Sequence, residues 1–474
     1  MTGESKPLYL HDIITMAAAR RPETVAVVDA DGAWTYAELA GHTEQYAAAM
    51  AAAGVKAGDR VLIGAESRRW VVAAIHGCSR LGAIAVPLGS DLRPAQWEQI
   101  GQDARPALVL TAPPATAPVA VPPPHPTDAD APVLFMYTSG STSTPKAVVC
   151  PHRSVLFAVE AIAARLRYRP DDVVLCRLPL SFDYGLYQVF LTAHSGGTLV
   201  LCGSRADGRL LSTAVEHGAT VVPLVPSLAT MLAQLAKRGD VPPVRLFTNT
   251  GQELTADHIS ALRQAFPGAA VQLMYGTTEC KRVTIGEPDD DLVRPGSVGR
   301  PLDGTTVRIL GEDGAPVPPG EEGQITVHGP HVMAGYWPDE PFPRDPITGD
   351  RVLHTGDYGH VDQDGHLYFH GRRDQLFKHR GVRTSVSEIE AAARAVPEIE
   401  DAAVLPPRGE GEAVLCAVTT LEPAEALRRL RDRLEPLKVP ARCLVLDRMP
   451  LSANGKTDRT ALAALIDHAE MTRA

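Results

Sequence analysis

Short apolar segments that alternate with helical segments are the feature that most constrains the fold of this chain of 474 residues. Two stretches have a helical pattern, residues 68–81 and 256–265, and Thr255 can cap the second. Apolar runs typical of buried strands occupy residues 60–64, 83–87, 219–224, 244–248 and 270–274. Buried strands that alternate with helices form parallel sheets covered on both faces. The sequence therefore predicts an α/β fold.

The length of the chain predicts more than one domain. Residues 111–132 are rich in proline and alanine, which is typical of a connector or a surface loop. After about Pro301 the pattern changes to short strands and glycine turns, as in residues 320–328. We therefore expect a large domain of parallel and mixed sheets flanked by helices, followed by a small β subdomain.

Composition excludes several classes of protein. A hydrophobic content of 45% and a charged content of 22% are ordinary for a soluble globular protein. The N-terminus lacks the apolar stretch of a signal peptide, and no apolar run is long enough to span a bilayer. The seven cysteines form no C-x-x-C pair, so they indicate reduced thiols and neither a metal site nor a disulfide framework. We expect a cytoplasmic protein that does not bind a membrane.

The net charge of −10 is unevenly distributed. From Gln375 to the end, 15 basic residues balance 15 acidic residues, so the acidic excess lies in the first four-fifths of the chain. No basic tract or patch interleaved with aromatic residues is present, and we expect no nucleic-acid partner.

One loop has a composition suited to phosphate binding. From Thr138 to Lys146, nine residues contain six hydroxyl side chains, a glycine and a lysine, directly after an apolar run at residues 133–137. Backbone N–H groups and hydroxyls donate to phosphate oxygens, and a lysine adds a positive charge. The spacing is not that of the standard P-loop. Taken alone, the loop fits a polyphosphate site and a hydroxyl-rich surface linker equally well.

Four further motifs follow that loop. The first is Met274-Tyr-Gly-Thr-Thr-Glu279, directly after a predicted strand. The others are His354-Thr-Gly-Asp357, the segment Gly371-Arg-Arg-Asp-Gln-Leu-Phe-Lys-His-Arg-Gly381 and Leu451-Ser-Ala-Asn-Gly-Lys-Thr-Asp-Arg459. In order and spacing, the five motifs resemble those of the AMP-forming adenylating superfamily, and the resemblance covers essentially the whole chain. Members of that superfamily are acyl-CoA synthetases, the adenylation domains of nonribosomal peptide synthetases, and luciferases.

The resemblance implies a reaction and a division of the chain. A carboxylate attacks the α-phosphate of Mg-ATP to give an acyl-adenylate and pyrophosphate, and a nucleophile, usually a thiol, then attacks the acyl carbon and releases AMP. Residues 1–373 would form the large adenylation domain, which binds ATP and the acid. Residues 374–474 would form a small, mobile α+β domain that turns about a hinge near Asp374.

The same resemblance assigns phosphate and metal contacts. Glu279 would bind Mg²⁺, for which a carboxylate is a suitable hard ligand, and Thr278 would contact the α-phosphate. The family usually has glycine where this chain has Ser143, so the close backbone approach at that position is in doubt. The β- and γ-phosphates and the leaving pyrophosphate would be held by Thr138, Ser139, Gly140, Ser141, Thr142, Thr144 and Lys146.

Four further residues would hold the nucleoside. Tyr275, next to Gly276, would stack on adenine, or else it is a core tyrosine at a strand end. Asp357 would accept hydrogen bonds from both ribose hydroxyls, because a carboxylate has two acceptor oxygens. Arg372 would support the ribose or a phosphate, or else it forms an ordinary salt bridge.

Lys456 is the residue that the resemblance makes catalytic. It lies in an Asn-Gly-Lys turn, which exposes a side chain at a loop tip. By resemblance it enters the active site only during adenylation, where it bridges the attacking carboxylate and the α-phosphate. The alternative is a solvated lysine in a loop.

Substrate choice depends on the segment that contains Asp183. In relatives that activate α-amino acids, an Asp at this position pairs with the substrate ammonium, and an unpaired buried carboxylate is costly. The alternative is that Asp183 only caps the following helix. Lys281 and Arg282 would meet a second carboxylate or a phosphate, or form salt bridges. The other predicted walls of the acid pocket are Tyr184, Tyr187, Thr248, Thr250, Met274, Arg282 and Val283.

The sequence as a whole predicts an adenylating ligase that resembles stand-alone enzymes loading proline or similar acids onto carrier proteins. The expected substrate is a small amino acid or amino-substituted acid, with ATP and Mg²⁺ as cofactors and a carrier protein as acceptor. An acyl- or aryl-CoA ligase, and transfer to a non-thiol nucleophile, are the alternatives within the class. A catalytically inactive scaffold protein is the alternative outside it.

Overall fold

The computed structural model describes most of the chain in two compact units. The large unit contains residues 1–307 and 326–353, and the small unit contains residues 308–325 and 354–474. The predicted domain boundary between residues 373 and 374 is the proposed hinge for domain motion, and it stays a prediction. The described residues are 8–90, 92–115, 120–125, 128–138, 146–203, 208–338, 340–372, 376–379, 382–407, 412–451 and 457–471.

The helices of the described residues are numbered in chain order. They are α1 (Asp12–Arg20), α2 (Tyr36–Ala52), α3 (Arg69–Arg80), α4 (Pro94–Ala104), α5 (His152–Leu166), α6 (Asp183–Ser195), α7 (Leu210–Glu216), α8 (Pro226–Ala236), α9 (Ala256–Ala265), α10 (Val386–Arg394), α11 (Pro423–Arg431) and α12 (Arg459–Met471). Within the described parts of the chain, no helix is both long and apolar enough to cross a membrane.

The strands are numbered in the same way. They are β1 (Val25–Asp29), β2 (Gly32–Thr35), β3 (Arg60–Gly64), β4 (Ile84–Leu88), β5 (Leu108–Leu110), β6 (Pro132–Thr138), β7 (Lys146–Pro151), β8 (Val173–Cys176), β9 (Thr198–Leu201), β10 (Val221–Leu224), β11 (Leu246–Asn249), β12 (Ala270–Tyr275), β13 (Thr284–Ile285), β14 (Arg300–Pro301), β15 (Thr306–Leu310), β16 (Gly323–His328), β17 (Gly335–Tyr336), β18 (Glu340–Pro341), β19 (Val352–Val361), β20 (Leu367–Arg372), β21 (Leu376–His379), β22 (Val382–Ser385), β23 (Ile399–Leu405), β24 (Val414–Thr419) and β25 (Arg442–Leu446).

The larger sheet of the large unit has nine strands in the order β14-β13-β12-β11-β10-β8-β9-β1-β2. Its centre, from β12 to β1, is parallel, and the strands at both ends pair antiparallel. Helices α8 and α9 connect these strands, and Thr255 caps α9 through a hydrogen bond from the His258 N–H. This arrangement places the carboxyl ends of β8, β10, β11 and β12 at one edge.

The second sheet of the large unit has seven strands in the order β18-β17-β7-β6-β4-β3-β5. Strands β5, β3, β4 and β6 are parallel, whereas β6 and β7 form an antiparallel pair that ends with Thr138 opposite Lys146. The two ends of the hydroxyl-rich loop are therefore fixed on neighbouring strands. Residues 139–145 between them lie outside the described residues.

The C-terminal part of the small unit is an α+β fold. Strands β23, β24 and β25 form a sheet, and β21 pairs with β22. Val386 and Ile389 of α10 and Leu430 of α11 share an apolar core with Leu415 of β24. Before it, β15, β16, β19 and β20 form a four-stranded sheet, which is the predicted β subdomain. The predicted α/β fold class is confirmed.

Three buried histidines make the large unit sensitive to acid. His76, His152 and His331 are at most 1% exposed, and burial lowers the pKa of each to about 4. An unfolded histidine titrates near 6.5, so below that pH the unfolded chain binds more protons than the folded chain. The stability contributed by the neutral imidazoles is complete above pH 6.5 and is lost as pH falls towards 4.

We expect the free energy of unfolding to fall by roughly 4 kcal/mol per pH unit between pH 6 and 4.5, about 1.4 for each histidine. Urea titrations at pH 7, 6 and 5 measure this slope. His76→Leu should remove about a third of it. A free energy of unfolding that stays constant from pH 7 to 5 would show that these imidazoles are not buried as neutral groups.

Candidate active site

The topology of the nine-stranded sheet brings several predicted pocket residues to one edge. Thr248 and Thr250 lie at the carboxyl end of β11, and Met274 and Tyr275 lie at that of the adjacent β12. Asp183 begins α6, after the carboxyl end of β8. In open α/β sheets, ligands bind beyond the carboxyl ends of the strands, so this edge is the candidate acid pocket.

Asp183 is 5% exposed, and its carboxylate pairs with the side chain of Arg282. The N-cap position of α6 is Phe182, and Asp183 is the first residue inside the helix, so the capping alternative for Asp183 is wrong. The Asp183 carboxylate lies 3.3 Å from Nη1 of Arg282. The start of α6 is held close to the preceding segment, since a Cβ on Gly185 would lie 2.3 Å from the carbonyl oxygen of Pro179.

Arg282 is held by three contacts. Its side chain is 4% exposed, and Nη1 donates to Asp183 and to the carbonyl oxygen of Lys281 at 2.7 Å. Its guanidinium carbon lies 4.7 Å from the centre of the Tyr184 ring, which is cation–π geometry. Its Nε is buried and has no hydrogen-bond partner among the described residues. The sequence predicts that Arg282 either meets an anionic group of the substrate or forms a salt bridge. The salt bridge is observed, and the Nε–H group is a further donor.

Tyr184 supports the arginine. The Tyr184 hydroxyl lies 2.8 Å from Oγ1 of Thr248, and both residues are fully buried. Burial raises the pKa of Tyr184 well above its usual range, so the phenol stays neutral. The hydrogen bond to β11 fixes the ring, and the fixed ring orients the guanidinium that packs on it.

Lys281 is fully buried and has a left-handed backbone, with φ of 60°. Its Nζ donates to the carbonyl oxygen of Thr278 at 2.7 Å and lies 5.8 Å from the centre of the Tyr187 ring. Across the described ranges, Lys281 forms no ion pair. The Tyr187 hydroxyl is also buried without a hydrogen-bond partner there. Counting Asp183, Lys281 and Arg282, the buried side chains of this pocket carry one positive charge in excess.

The turn after β12 holds Thr278 and Glu279 in a fixed geometry. Gly276 is required, because an added Cβ would lie 1.9 Å from the carbonyl oxygen of Lys281. The N–H of Lys281 donates back to the carbonyl oxygen of Thr277 at 2.7 Å, and the N–H of Val283 donates to that of Tyr275. Tyr275 is 7% exposed. The tight turn therefore aligns the residues predicted to contact the nucleotide.

Glu279 has the chemistry of a magnesium ligand. Its Oε1 accepts a hydrogen bond of 2.7 Å from the Tyr336 hydroxyl, and its carbonyl oxygen accepts from the N–H of Met333. The side chain is partly exposed. Mg²⁺ in nucleotide sites typically takes one or two carboxylates together with phosphate oxygens and water. Glu279 fits that requirement, because it is a single carboxylate whose Oε1 is held by Tyr336 and whose backbone is held by Met333.

Lys146 begins β7 at one end of the hydroxyl-rich loop. Its Nζ lies 3.0 Å from Glu340 and 5.3 Å from the centre of the Tyr336 ring. At the other end of the loop, Thr138 Oγ1 lies 3.5 Å from the carbonyl oxygen of Lys146. The predicted phosphate residues Ser139, Gly140, Ser141, Thr142 and Thr144 lie outside the described residues.

In the small unit, Asp357 and Arg372 are opposite each other on β19 and β20. Asp357 is 2% exposed, and its carboxylate accepts from Nε of Arg372 at 3.1 Å. The N–H of Asp357 donates to Oγ1 of Thr355. The two residues predicted to hold the ribose are thus neighbours. Lys456 and Asp374 lie outside the described residues.

The cysteines near this site are not candidate nucleophiles. All seven cysteines are free. Burial raises the pKa of Cys280 to about 12, and burial also raises the pKa of Cys150, next to Lys281. Neither thiol ionises near neutral pH, so their role is in packing.

Two family profiles match most of the chain. The AMP-binding enzyme profile matches residues 14–122 and 111–337, and the profile of the AMP-binding enzyme C-terminal domain matches residues 388–456. The chain therefore belongs to the AMP-binding enzyme family, and it is an AMP-forming ligase.

Three relatives illustrate the range within the family. L-proline–[L-prolyl-carrier protein] ligase of Pseudomonas fluorescens is 30% identical and aligns with 97% of this chain and 99% of its own length. VinN in complex with L-aspartate is 40% identical, with a TM-score of 0.69, over 76% of this chain and 98% of VinN. The o-succinylbenzoate CoA synthetase MenE of Bacillus subtilis, with its acyl-adenylate, is 27% identical, with a TM-score of 0.83, over 95% of this chain and 97% of MenE. Several other curated relatives are longer, and this chain spans 6% to 42% of them.

Proposed function

We propose that this ligase adenylates an amino dicarboxylic acid of the aspartate type and transfers the acyl group to the thiol of a carrier protein. The substrate ammonium binds Asp183, and the carboxylate that does not react faces Arg282 and Lys281. The observation that carries this proposal is the excess of one buried positive charge among these three side chains.

Charge complementarity selects the class of substrate. A buried charge without a counter-charge is costly, and the Nζ of Lys281 donates to a neutral carbonyl oxygen and forms no ion pair among the described residues. An unreacted substrate carboxylate supplies the missing counter-charge, and the substrate ammonium is then balanced by the second oxygen of Asp183. A neutral aryl or acyl chain supplies neither and leaves the cation buried and unpaired.

Asp183 has the capacity to bind both the arginine and the ammonium. Its Oδ2 faces Arg282, and an ionised carboxylate has a second oxygen with its own lone pairs. The arginine then orients Asp183 for the ammonium and keeps Nε available for the substrate carboxylate.

The relatives support this choice. VinN is described in complex with L-aspartate, and the ligase of Pseudomonas fluorescens is described as acting on L-proline and a carrier protein. Both L-aspartate and L-proline are amino acids. MenE is described as a CoA synthetase, which keeps CoA as the alternative acceptor.

The nucleotide roles follow the family pattern. Binding of ATP is supported by the structure of MenE with ATP and magnesium. Thr278 would donate to the α-phosphate, and Tyr275 would pack on adenine. The loop 138–146 would hold the leaving pyrophosphate. Mg²⁺ held by Glu279 would neutralise phosphate charge when bound.

The first step requires charge stabilisation more than proton transfer. An oxygen of the substrate carboxylate forms a bond to the α-phosphorus, and the bond from that phosphorus to the pyrophosphate oxygen breaks. Lys456 would neutralise the charge that accumulates between these groups. In the second step a thiolate attacks the acyl carbon, and AMP leaves with the bonding pair.

Asp183→Asn tests the ammonium contact. We expect kcat/KM for L-aspartate to fall by roughly 10²-fold, because the substrate ammonium loses its counter-charge. Succinate, which lacks the amino group, should lose much less. Pyrophosphate exchange with both acids on both proteins measures the difference, and a melting curve checks folding. Equal losses with the two acids would remove the amino-acid assignment and favour an aryl or acyl substrate.

A further inference from the structure

Tyr336 contacts two groups of the nucleotide site that are far apart in sequence. Its hydroxyl donates to Oε1 of Glu279 at 2.7 Å, and its ring centre lies 5.3 Å from Nζ of Lys146. The first is the predicted magnesium ligand and the second is the lysine of the phosphate loop. No motif in the sequence marks Tyr336 for either contact.

Strand pairing explains how one residue reaches both groups. Tyr336 lies in β17, which pairs antiparallel with β7 so that Tyr336 is opposite Val148. Lys146, two residues before Val148, lies on the same face of β7, and diagonal neighbours on one face are within reach of an aromatic side chain. Close by in the chain, the N–H of Met333 holds the backbone of Glu279 at 2.9 Å. The same short segment therefore fixes both the backbone and the carboxylate of Glu279.

We propose that Tyr336 is a positioning residue that fixes the Glu279 carboxylate for Mg²⁺ and keeps Lys146 beside it. A hydrogen bond to an ionised carboxylate is stronger than a neutral one and restricts its rotation. With Oε1 held by the phenol, Oε2 would be the oxygen available to Mg²⁺. This proposal rests on the proposed role of Glu279 in binding Mg-ATP.

Lys146 has a second partner that ATP must displace. Its Nζ lies 3.0 Å from Glu340, and both side chains are substantially exposed. A surface ion pair of this kind contributes little stability, so phosphate oxygens can replace it. The aromatic face of Tyr336 then keeps the ammonium near the loop while its ionic partner changes.

Tyr336→Phe separates these contacts, because it removes the hydroxyl and keeps the ring that packs on Lys146. We expect calorimetric binding of ATP without metal to be unchanged. The Mg²⁺ concentration that gives half of the full ATP affinity should rise by roughly 5- to 30-fold, since the carboxylate loses a charge-assisted hydrogen bond. The readout is binding and requires no turnover.

Two further variants complete the test. Tyr46→Phe removes a phenol hydroxyl from a buried tyrosine of α2 and should leave the Mg²⁺ dependence unchanged. In a Glu279→Gln background, Tyr336→Phe should add little further loss, because the charged partner is already gone. Melting curves of the single and double variants check that each is folded before binding is measured.

The outcomes are distinct. If Tyr336→Phe has the Mg²⁺ dependence of the wild type, or loses the same affinity with and without Mg²⁺, the positioning role is wrong. If ATP binding to the wild type itself is independent of Mg²⁺, the magnesium role of Glu279 fails first. A selective rise in the Mg²⁺ requirement, absent in the Glu279→Gln background, supports the proposal.

Discussion

Lys456→Ala is expected to reduce adenylation by roughly 10²–10³-fold, the usual cost of removing one charge contact that is made in the transition state. Transfer to a thiol from a supplied acyl-adenylate should stay near the wild-type rate. The reason is that the lysine acts where the carboxylate meets the α-phosphate, and this bond is already made in the supplied intermediate. Pyrophosphate exchange measures the first step, and AMP release from the adenylate measures the second.

A matched control is available in the small unit. Lys438 pairs with Glu388 at 2.7 Å, and Lys438→Ala should leave both half-reactions unchanged. If Lys456→Ala slowed both half-reactions by the same factor, separate active-site roles of the C-terminal region in the two steps would be excluded. The proposed hinge at Asp374 would then lose its function.

Arg282→Met is expected to reduce kcat/KM for L-aspartate by roughly 10²–10³-fold, since truncating one partner of a buried charge pair costs about 2–5 kcal/mol. L-Alanine and β-alanine each lack one carboxylate of aspartate, so between them they cover activation of either carboxylate. Neither should lose activity to a comparable degree, because neither presents a second carboxylate to the guanidinium. Pyrophosphate exchange with the three acids measures the ratio.

The variant also leaves Asp183 without its ion-pair partner, and this effect needs a control. Asp183→Asn with Arg282→Met removes both charges of the pair and restores neutrality between them. Suppose that the double variant folds like the wild type and still activates aspartate much less well, relative to L-alanine and β-alanine, than the wild type does. In that case the loss of aspartate activation in Arg282→Met comes from the missing guanidinium. Equal losses with all three acids in Arg282→Met would show that the arginine is structural.

The core of the fold was predictable from local sequence. The run at residues 60–64 is a strand because it is buried on both faces, and β3 occupies that run. Thr255 caps α9 as predicted, and Pro226 begins α8, where its missing N–H costs nothing. In each case the signal lies within a few residues of the element that it specifies.

Contacts between distant segments were not predictable in the same way. The pairing of β17 with β7 joins Tyr336 to the neighbourhood of Lys146, and no local pattern specifies that register. The same holds for Arg282, whose partner Asp183 is 99 residues away. Composition near Asp183 fitted a helix cap as well as a pocket, and only the three-dimensional position of Arg282 distinguishes them.

Pyrophosphate exchange over a panel of acids tests the central claim most directly. The panel contains L- and D-aspartate, L-glutamate, L-proline, succinate and benzoate, each at several concentrations. We predict that an amino dicarboxylic acid gives the highest kcat/KM, because in this panel it alone offers an ammonium to Asp183 and a second carboxylate to Lys281 and Arg282. Exchange driven by proline or benzoate, with none from any amino dicarboxylic acid, would contradict the account.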